Sequence, residues 1–239
     1  MSQQPDSLYP FVADLRSRLA DRLDAVLVHT TGGTGGTGAR AAEPVVIVDQ
    51  VDGPLLRSIR DQLPHWRRKG IATPLLLDRA HLSEARDVFP LEMLELHDCH
   101  VAIYGAIDPF ENLDINLEHL RLEIEEQLKG KVIHLRAAYL ESRPRTRDLS
   151  MLLMETPEGF VVSLRGLLYL RNKPRPDTAH GVVVAVENEF GEQLPTTKAL
   201  LEFAASGKPP NKKELETLFD RYLEEMTRVS RLLDTLSEA

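Results

Sequence analysis

A run of glycines after the first apolar segment is the feature most suggestive of phosphate binding. The stretch TTGGTGGTGAR places Gly33, Gly35 and Gly38 at the spacing of the dinucleotide-binding fingerprint. That fingerprint needs its last glycine to open a helix that crosses back to a parallel strand, and a parallel connection takes about a dozen residues or more. Only residues 39–44 separate Gly38 from the next apolar run. The fingerprint therefore lacks its structural context.

A Walker-type phosphate loop is excluded by residue type, because Ala39 and Arg40 stand where Lys and Ser or Thr are required. Two interpretations of the run remain. The favoured one is a flexible connection between two strands, which predicts that residues 32–38 are mobile in the free protein. The other is an anion site built from successive backbone amides. The candidate phosphate-binding residues are Gly33, Gly35, Gly36, Gly38 and Arg40.

Two histidines and the single cysteine form a second group of possible ligands. His97 and His100 flank Asp98 and Cys99. Their spacing fits no closed zinc signature, and the apolar residues on either side predict a turn between two strands. A single cysteine also excludes an internal disulfide and a zinc site with several thiolate ligands.

The composition predicts a globular protein that does not bind nucleic acid non-specifically. The chain has 239 residues, of which 42% are hydrophobic and 28% charged, enough for one large domain or two modest ones. The net charge of −8 repels phosphate backbones. The N-terminus does not resemble a signal peptide, and no apolar run approaches the ~20 residues that span a bilayer. We therefore expect a cytoplasmic protein with no membrane association.

The elements that would position these residues begin with an amphipathic helix, which apolar residues at helical spacing predict between Leu8 and Leu23. A second helical pattern opens at Gly53 and stops at the basic residues before Gly70. Short aliphatic runs predict strands. The predicted strands are residues 25–29, 45–48, 75–77, 91–96 and 101–104, with a short helix over residues 80–88. This alternation indicates a mixed α/β sheet that ends near Gly105.

Helical periodicity replaces strand alternation after Asp108. Helices are predicted over residues 117–139, 149–154, 160–170, 182–190, 198–205 and 215–236, although the β-branched residues 182–186 favour a strand. A helical bundle from about residue 114 is the simplest account. The predicted fold class is α+β, with a mixed-sheet domain over residues 1–110 and an all-α helical domain over residues 111–239.

Charged residues in the helical half are interpreted as solvated. Arg165 stands among apolar residues and is predicted to reach solvent from an apolar surface, although it could instead face a nucleotide pocket. A solvated helix face with i,i+4 pairs is predicted for Arg121, Glu123, Glu125, Glu126 and Lys129.

Two stretches carry a resemblance to a known superfamily. They are IATPLLLDRAHLSEARDVFPLEMLELHDCHVAIYGAIDPF and HLRLEIEEQLKGKVIHLRAAYL. Together they resemble bacterial nucleotidyltransferase-superfamily proteins that carry a helical C-terminal domain. The resemblance covers most of the chain and rests on overall pattern; its most specific part is residues 87–104. In those relatives a strand ending in Gly-Ser, a loop and an Asp-x-Asp strand come first, and VLVHTTGGTGGTGARAAEPVVIVD takes that place here.

The resemblance implies a two-metal site, but this sequence contains only some of the ligands that such a site needs. Nucleotidyl transfer uses paired carboxylates to hold two divalent cations beside a Gly-Ser turn that grips the triphosphate. Here His29-Thr30 replaces Gly-Ser, unless that turn lies within the glycine run, and Glu43 alone stands for the first carboxylate pair. One acidic ligand does not make a two-metal site. The remaining candidates are Asp49 at the far end of the second strand, where a turn residue is also plausible, and Glu92 or Glu95.

Three functions follow. The first is a catalytically degenerate nucleotidyltransferase-like protein that acts by binding a nucleotide or a protein partner. The second is an active, magnesium-dependent nucleotidyltransferase that transfers a nucleoside monophosphate to an unknown acceptor, in which Glu43, Asp49 and Glu92 or Glu95 converge. The third is a structural interaction module whose helical half is the working surface. Whether the carboxylates face one cleft separates the second function from the first.

Overall fold

The computed structural model describes residues 8–29, 43–106, 108–111, 113–142, 146–208, 210–211 and 213–236. In this part of the chain a four-stranded mixed sheet with helices is followed by helices alone, so the fold class is α+β as predicted. The elements up to residue 104 are α1 (Leu8–Leu19), β1 (Leu23–His29), β2 (Glu43–Val48), α2 (Gly53–Arg60), α3 (Leu63–Arg68), β3 (Leu75–Asp78), α4 (Arg79–Val88), α5 (Pro90–Asp98) and β4 (His100–Tyr104).

The sheet has the strand order β3-β2-β1-β4. Strand β1 runs antiparallel to both β2 and β4, whereas β2 and β3 are parallel. The antiparallel pairing of β1 with β2 agrees with the short connection that excluded the dinucleotide fold. At one end of the sheet His29, the last residue of β1, lies opposite both Glu43 and His100.

The core of the sheet unit lies between α1, α2 and α3 and the sheet. Buried side chains from α1, such as Phe11 and Leu15, pack with Val26 and Val46 of the sheet and with Trp66. The Trp66 ring meets Phe11 edge to face at 4.8 Å between centroids, a geometry that adds to the burial of both rings. Its indole Nε1–H donates to Asp14 at 3.1 Å, so the one polar atom of the ring is satisfied.

The second group of elements is entirely helical in the described residues, including residues 182–186. The helices are α6 (Leu117–Glu141), α7 (Thr146–Leu170), α8 (Ala179–Phe190), α9 (Pro195–Ser206) and α10 (Leu215–Leu236). The prediction that strands end near Gly105 is therefore confirmed for the part of the chain described. Tertiary packing explains why these valines are helical, since Val182, Val183 and Val186 lie on one face of α8 and are all buried.

Local sequence explains where several helices begin and end. Asp52 caps α2 by accepting from Leu55 N at 2.8 Å, and Thr178 caps α8 by accepting from Gly181 N at 3.1 Å. Helix α8 ends at Gly191, whose φ of 71° is a left-handed conformation that glycine adopts without steric cost. None of the described helices is both long and apolar enough to cross a membrane.

The chain divides into two compact units that do not follow a single cut at residue 110. Segment Phe89–Asp98 belongs to the same unit as the residues after 114, whereas Cys99–Asp114 belongs to the sheet unit. The strand predicted over residues 91–96 is wrong, because these residues lie in helix α5, which packs on α6 and α7. Four of its apolar residues are buried there: Leu91, Met93, Leu94 and Leu96.

Candidate functional site

The end of the sheet where β1 and β2 face each other carries the predicted residue Glu43. His29 is the last residue of β1 and lies at this end of the sheet. Because β1 pairs with both β2 and β4, His29 lies between Glu43 and His100. His29 Nδ1 lies 3.8 Å from Glu43 Oε2. The Glu43 side chain is 53% exposed, whereas that of His29 is largely buried. We call His29, Glu43 and His100 the hairpin-end site.

His100 is held by an acidic partner beyond β4. Its Nε2 lies 2.8 Å from Asp108 Oδ2, and Asp108 Oδ1 accepts from Phe110 N at 2.9 Å. The buried Phe110 ring lies 5.6 Å from the His100 ring, centroid to centroid. These contacts fix the orientation of the His100 imidazole and assign Asp108 a positioning role that the sequence alone did not reveal.

The hairpin-end site does not fit two magnesium ions. His29 Nε2 is buried, His29 Nδ1 faces Glu43 and His100 Nε2 faces Asp108. The exposed carboxylate of Glu43 can accept a hydrogen bond or help to hold one cation. Divalent magnesium in such sites needs several carboxylate or phosphate oxygens in octahedral arrangement. Among the described residues, no three His, Cys, Asp or Glu side chains are grouped so that they could hold a metal ion.

Asp49 lies at the opposite end of β2 from Glu43. The two residues are six positions apart along an extended strand, which corresponds to about 20 Å. Arg22 Nε donates to Asp49 Oδ1 at 3.0 Å, and its Nη2 donates to Asp52 at 3.1 Å. The hydrogen bond from Arg22 holds the pKa of Asp49 below its usual value. Asp49 therefore ties the end of β2 to the residue before β1, and the structure does not bring it to Glu43.

Glu92 and Glu95 lie on helix α5 in the helical unit, not on a strand. Their spacing of three residues puts them on one side of the helix. Glu95 Oε2 lies 3.6 Å from Arg165 Nε, and Arg165 Nη2 also donates to the carbonyl of Asp177 at 3.0 Å. Arg165 is only 3% exposed. The prediction of a surface arginine is therefore wrong, because an ion pair compensates the burial of its charge.

Glu92 takes part in a carboxylate pair with Glu123 of α6. Gln127 Nε2 donates to both side chains at 3.3 Å, and Leu91 N donates to Glu123 at 2.8 Å. Burial, followed by the hydrogen bond with Glu92, raises the pKa of Glu123 to about 7. The predicted solvation of Glu123 is wrong, since this residue is half-buried, whereas the predicted pair of Glu125 with Lys129 is present at 2.5 Å.

Asp98 is the best-anchored carboxylate of α5. Arg175 donates from Nε and Nη2 to its two oxygens, and His97 Nδ1 lies 2.8 Å from Asp98 Oδ1. The guanidinium also lies over the Tyr169 ring at 4.8 Å. Burial would raise the pKa of Asp98, but Arg175 and His97 outweigh it and the pKa is lowered. His97 and Asp98 thus anchor α5 to the α7–α8 connection. The predicted turn between strands is in fact a turn from α5 into β4.

The candidate phosphate-binding residues of the glycine run lie outside the described residues. They are Gly33, Gly35, Gly36, Gly38 and Arg40. The predicted mobility of residues 32–38 also concerns a segment outside the described residues. The run lies between His29 and Glu43 in sequence. These are the nearest described residues on either side of it, and both belong to the hairpin-end site.

No protein-family model and no curated protein matches the chain. Among solved structures, it is similar to a spectinomycin adenyltransferase from Enterococcus faecialis that was crystallised with ATP and spectinomycin. The sequence identity is 11%, over 92% of this chain and 99% of that chain, with a TM-score of 0.42. A likeness at this level says nothing of the activity of the present chain.

Proposed function

We propose that the protein is a nucleotidyltransferase-like protein that binds a nucleotide without transferring it. The observation that carries this proposal is the position of the two candidate carboxylates on β2. Glu43 lies at the start of the strand and Asp49 after its end, where Arg22 holds it. A two-metal site needs carboxylates within bridging reach of cations roughly 4 Å apart. With Asp49 engaged elsewhere, Glu43 would act alone.

Binding at the hairpin-end site would rely on nitrogen donors rather than on a metal. The glycine run and Arg40 lie between His29 and Glu43 in sequence and supply backbone amides and a guanidinium. Backbone amides and a guanidinium hold phosphate oxygens without a cation. We therefore expect nucleotide affinity to depend little on magnesium. Magnesium would serve as a cofactor only if the protein were catalytically active.

Two assays on the full chain test this proposal. The first incubates the protein with each labelled nucleoside triphosphate and magnesium, and measures released pyrophosphate and labelled acceptor. We expect no turnover above background. The second measures nucleotide affinity by calorimetry with and without magnesium. We expect Glu43→Ala to leave the affinity unchanged and Arg40→Ala to weaken it about tenfold, because a charged donor to a phosphate is lost.

Glu84→Ala supplies the matched control, since Glu84 is an exposed glutamate on α4 of the same unit. Turnover that disappears in Glu43→Ala and persists in Glu84→Ala would show an active transferase and contradict the proposal. Affinity that requires magnesium would contradict it as well.

One observation favours interaction with a protein partner as a second candidate function. Helix α6 exposes Leu122, Ile133 and Leu140 at 59%, 62% and 82%. Their spacings of about three and two helical turns place them on one face. A photo-crosslinking residue at position 133 should then give discrete cross-linked products, whereas one at the exposed Glu202 of α9 should not. Equal cross-linking at the two positions would remove this candidate.

A further inference from the structure

A slot of about 290 Å³ lies among α6, α7 and α10 in the helical unit. Its walls are mainly apolar, formed by Leu135, Ala138, Leu152 and Met226. Polar groups at its edges come from Lys131, His134, Glu155 and Thr156. Lys131 and Ala138 are about 10 Å apart along α6, so the slot is elongated. Apolar walls with a few polar groups are typical of sites for small organic molecules.

Gly159 keeps one end of this slot open. A glycine inside a helix costs about 1 kcal/mol relative to alanine, so its presence in α7 calls for a reason. Packing does not supply that reason, because an added Cβ would meet only Lys131 Cε, at an ordinary contact distance of 3.6 Å. Gly166 of the same helix differs, since a Cβ there would come within 2.6 Å of Ile124 Cδ1. Because Gly159 has no side chain, space remains beside Lys131.

The charges around the slot favour a cation over an anion. The Lys131 ammonium is already engaged, because its Nζ donates to Gln127 Oε1 at 2.5 Å. Burial lowers the pKa of Lys131, while the charges of Glu92 and Glu123 act in the opposite direction. Glu92 of α5 and Glu123 of α6 thus partly offset the charge of Lys131. Within the described part of the chain Glu155 forms no ion pair or side-chain hydrogen bond, so its charge stays uncompensated.

We propose that this slot binds a small organic amine, with its ammonium group at Glu155 and its apolar body along Leu135, Leu152 and Met226. The Thr156 hydroxyl donates to the carbonyl of Leu152 at 2.9 Å, so it can only accept from a ligand N–H group, and the Tyr222 hydroxyl interacts with the same oxygen. The net charge of −8 favours the approach of a cation. This site lies wholly within the helical unit and is independent of nucleotide binding at the hairpin-end site.

The test titrates the full chain with hexylamine, hexanol and hexanoate, which share one apolar body and differ in the charge of the head group. Binding is followed by NMR on the methyl groups of Leu135, Leu152 and Met226. We expect saturable shifts with hexylamine, at least tenfold weaker binding of hexanol, and none of hexanoate. Glu155→Gln should weaken hexylamine binding about tenfold, because a charged hydrogen-bond acceptor becomes neutral.

Matched variants separate this site from general attraction of amines to an acidic protein. Glu126→Gln removes an exposed charge of α6 that does not line the slot, and should leave binding unchanged. Gly159→Leu should block the slot while a far-ultraviolet spectrum shows intact helices, and Gly159→Ala, which fills less of the space beside Lys131, should weaken binding less than Gly159→Leu does. Equal binding of all three probes, an unchanged affinity in Glu155→Gln or in Gly159→Leu, or an equal loss in Glu126→Gln would overturn the proposal.

Discussion

At the residue scale, the helical unit contains a carboxylate that takes the place of a missing helix cap. Glu225 of α10 is 3% exposed. It accepts from Thr196 N at 2.7 Å, from Thr197 N at 2.8 Å and from Thr197 Oγ1 at 2.7 Å. The first N–H groups of a helix have no partner within it, and Leu194 before α9 has no capping side chain. A residue from a distant helix therefore completes the start of α9.

We expect Glu225→Ala to lower the free energy of unfolding by about 3 kcal/mol, because buried donors lose their acceptor. Urea denaturation followed by circular dichroism measures this change. The neighbouring Glu224 is exposed, and the hydrogen bonds from the start of α9 are accepted by Glu225, so Glu224→Ala should change the free energy by less than about 0.5 kcal/mol. Equal effects of the two substitutions would contradict the role assigned to Glu225.

The Glu92–Glu123 pair makes a prediction about pH. The pKa of Glu123 is raised from 4.5 to about 7 by burial and by Glu92. Between these values the folded chain holds more protons than the unfolded chain, so the stability that this group contributes is lost as pH rises. Glu123→Gln should therefore reduce the loss of unfolding free energy between pH 5 and pH 8 by about 1 kcal/mol, a value discounted for partial exposure.

The control for this pH effect is Glu126→Gln, which removes an exposed charge from the same helix. Its pH dependence should match that of the unaltered chain. A pH dependence that is the same in Glu123→Gln and Glu126→Gln would show that Glu123 does not carry the effect.

At the element scale, α5, α6 and α7 approach closely at Gly166. A Cβ at this position would lie 2.6 Å from Ile124 Cδ1 and 2.8 Å from Leu91 Cδ1, both in buried side chains. A Cβ added at Gly130 of α6 would meet no atom within 4 Å, so space does not limit that position. The two helical glycines therefore differ in what they do: only Gly166 is required by packing.

We expect Gly166→Ala to lower the free energy of unfolding by about 1 to 2 kcal/mol, because overpacking outweighs the better helix propensity. Gly130→Ala should raise it by about 1 kcal/mol through propensity alone. Thermal denaturation of both variants compares them directly. A gain in stability in both would show that the α5–α6–α7 contact can relax to admit a methyl group.

The sequence predicted most elements correctly and failed where a short apolar run has two interpretations. Residues 91–96 form a short, mainly apolar run, and periodicity alone does not separate such a run from a segment of a buried helix. Their composition held the missing signal, since Leu, Met and Glu favour helices and no β-branched residue is present. Long-range partners were harder to predict. Glu95 with Arg165 and Asp98 with Arg175 lie far apart in sequence and meet only in the folded chain.

The position of Glu43 at the start of the second strand was predicted, because a strand boundary is a local property. The place of His100 on the other side of His29 was not predicted, because the pairing of β1 with β4 joins segments separated by several other elements. Asp108 was missed for the same reason, although it stands beside Pro109 at a predicted boundary.

At the scale of the whole molecule, α5 belongs to one compact unit while its sequence neighbours β4 and α4 belong to the other. When part of a native protein unfolds transiently, the residues that lose protection together are those that pack on one another, whatever their order in the sequence. We expect Leu164→Ala, in the core of α7, to lower amide-exchange protection in residues 91–96. Val46→Ala, in the core of β2, should instead lower it in residues 101–104.

Native-state hydrogen exchange with mass spectrometry measures both responses in the full chain. Protection of residues 91–96 that falls with Val46→Ala and stays constant with Leu164→Ala would place α5 energetically with the sheet. That result would contradict the assignment of α5 to the helical unit.

The place of α5 in the chain has a consequence during synthesis. Helix α5 leaves the ribosome before α6 and α7, against which it packs. The end of α7 follows α5 by roughly 70 residues, which takes about 4 to 14 seconds at ordinary rates of translation. Throughout this interval Leu91, Met93 and Leu94 lack at least one of the two helices that cover them in the folded chain. The nascent chain thus carries an apolar segment that chaperones can hold, and slower translation of residues 115–170 would lengthen its exposure to aggregation.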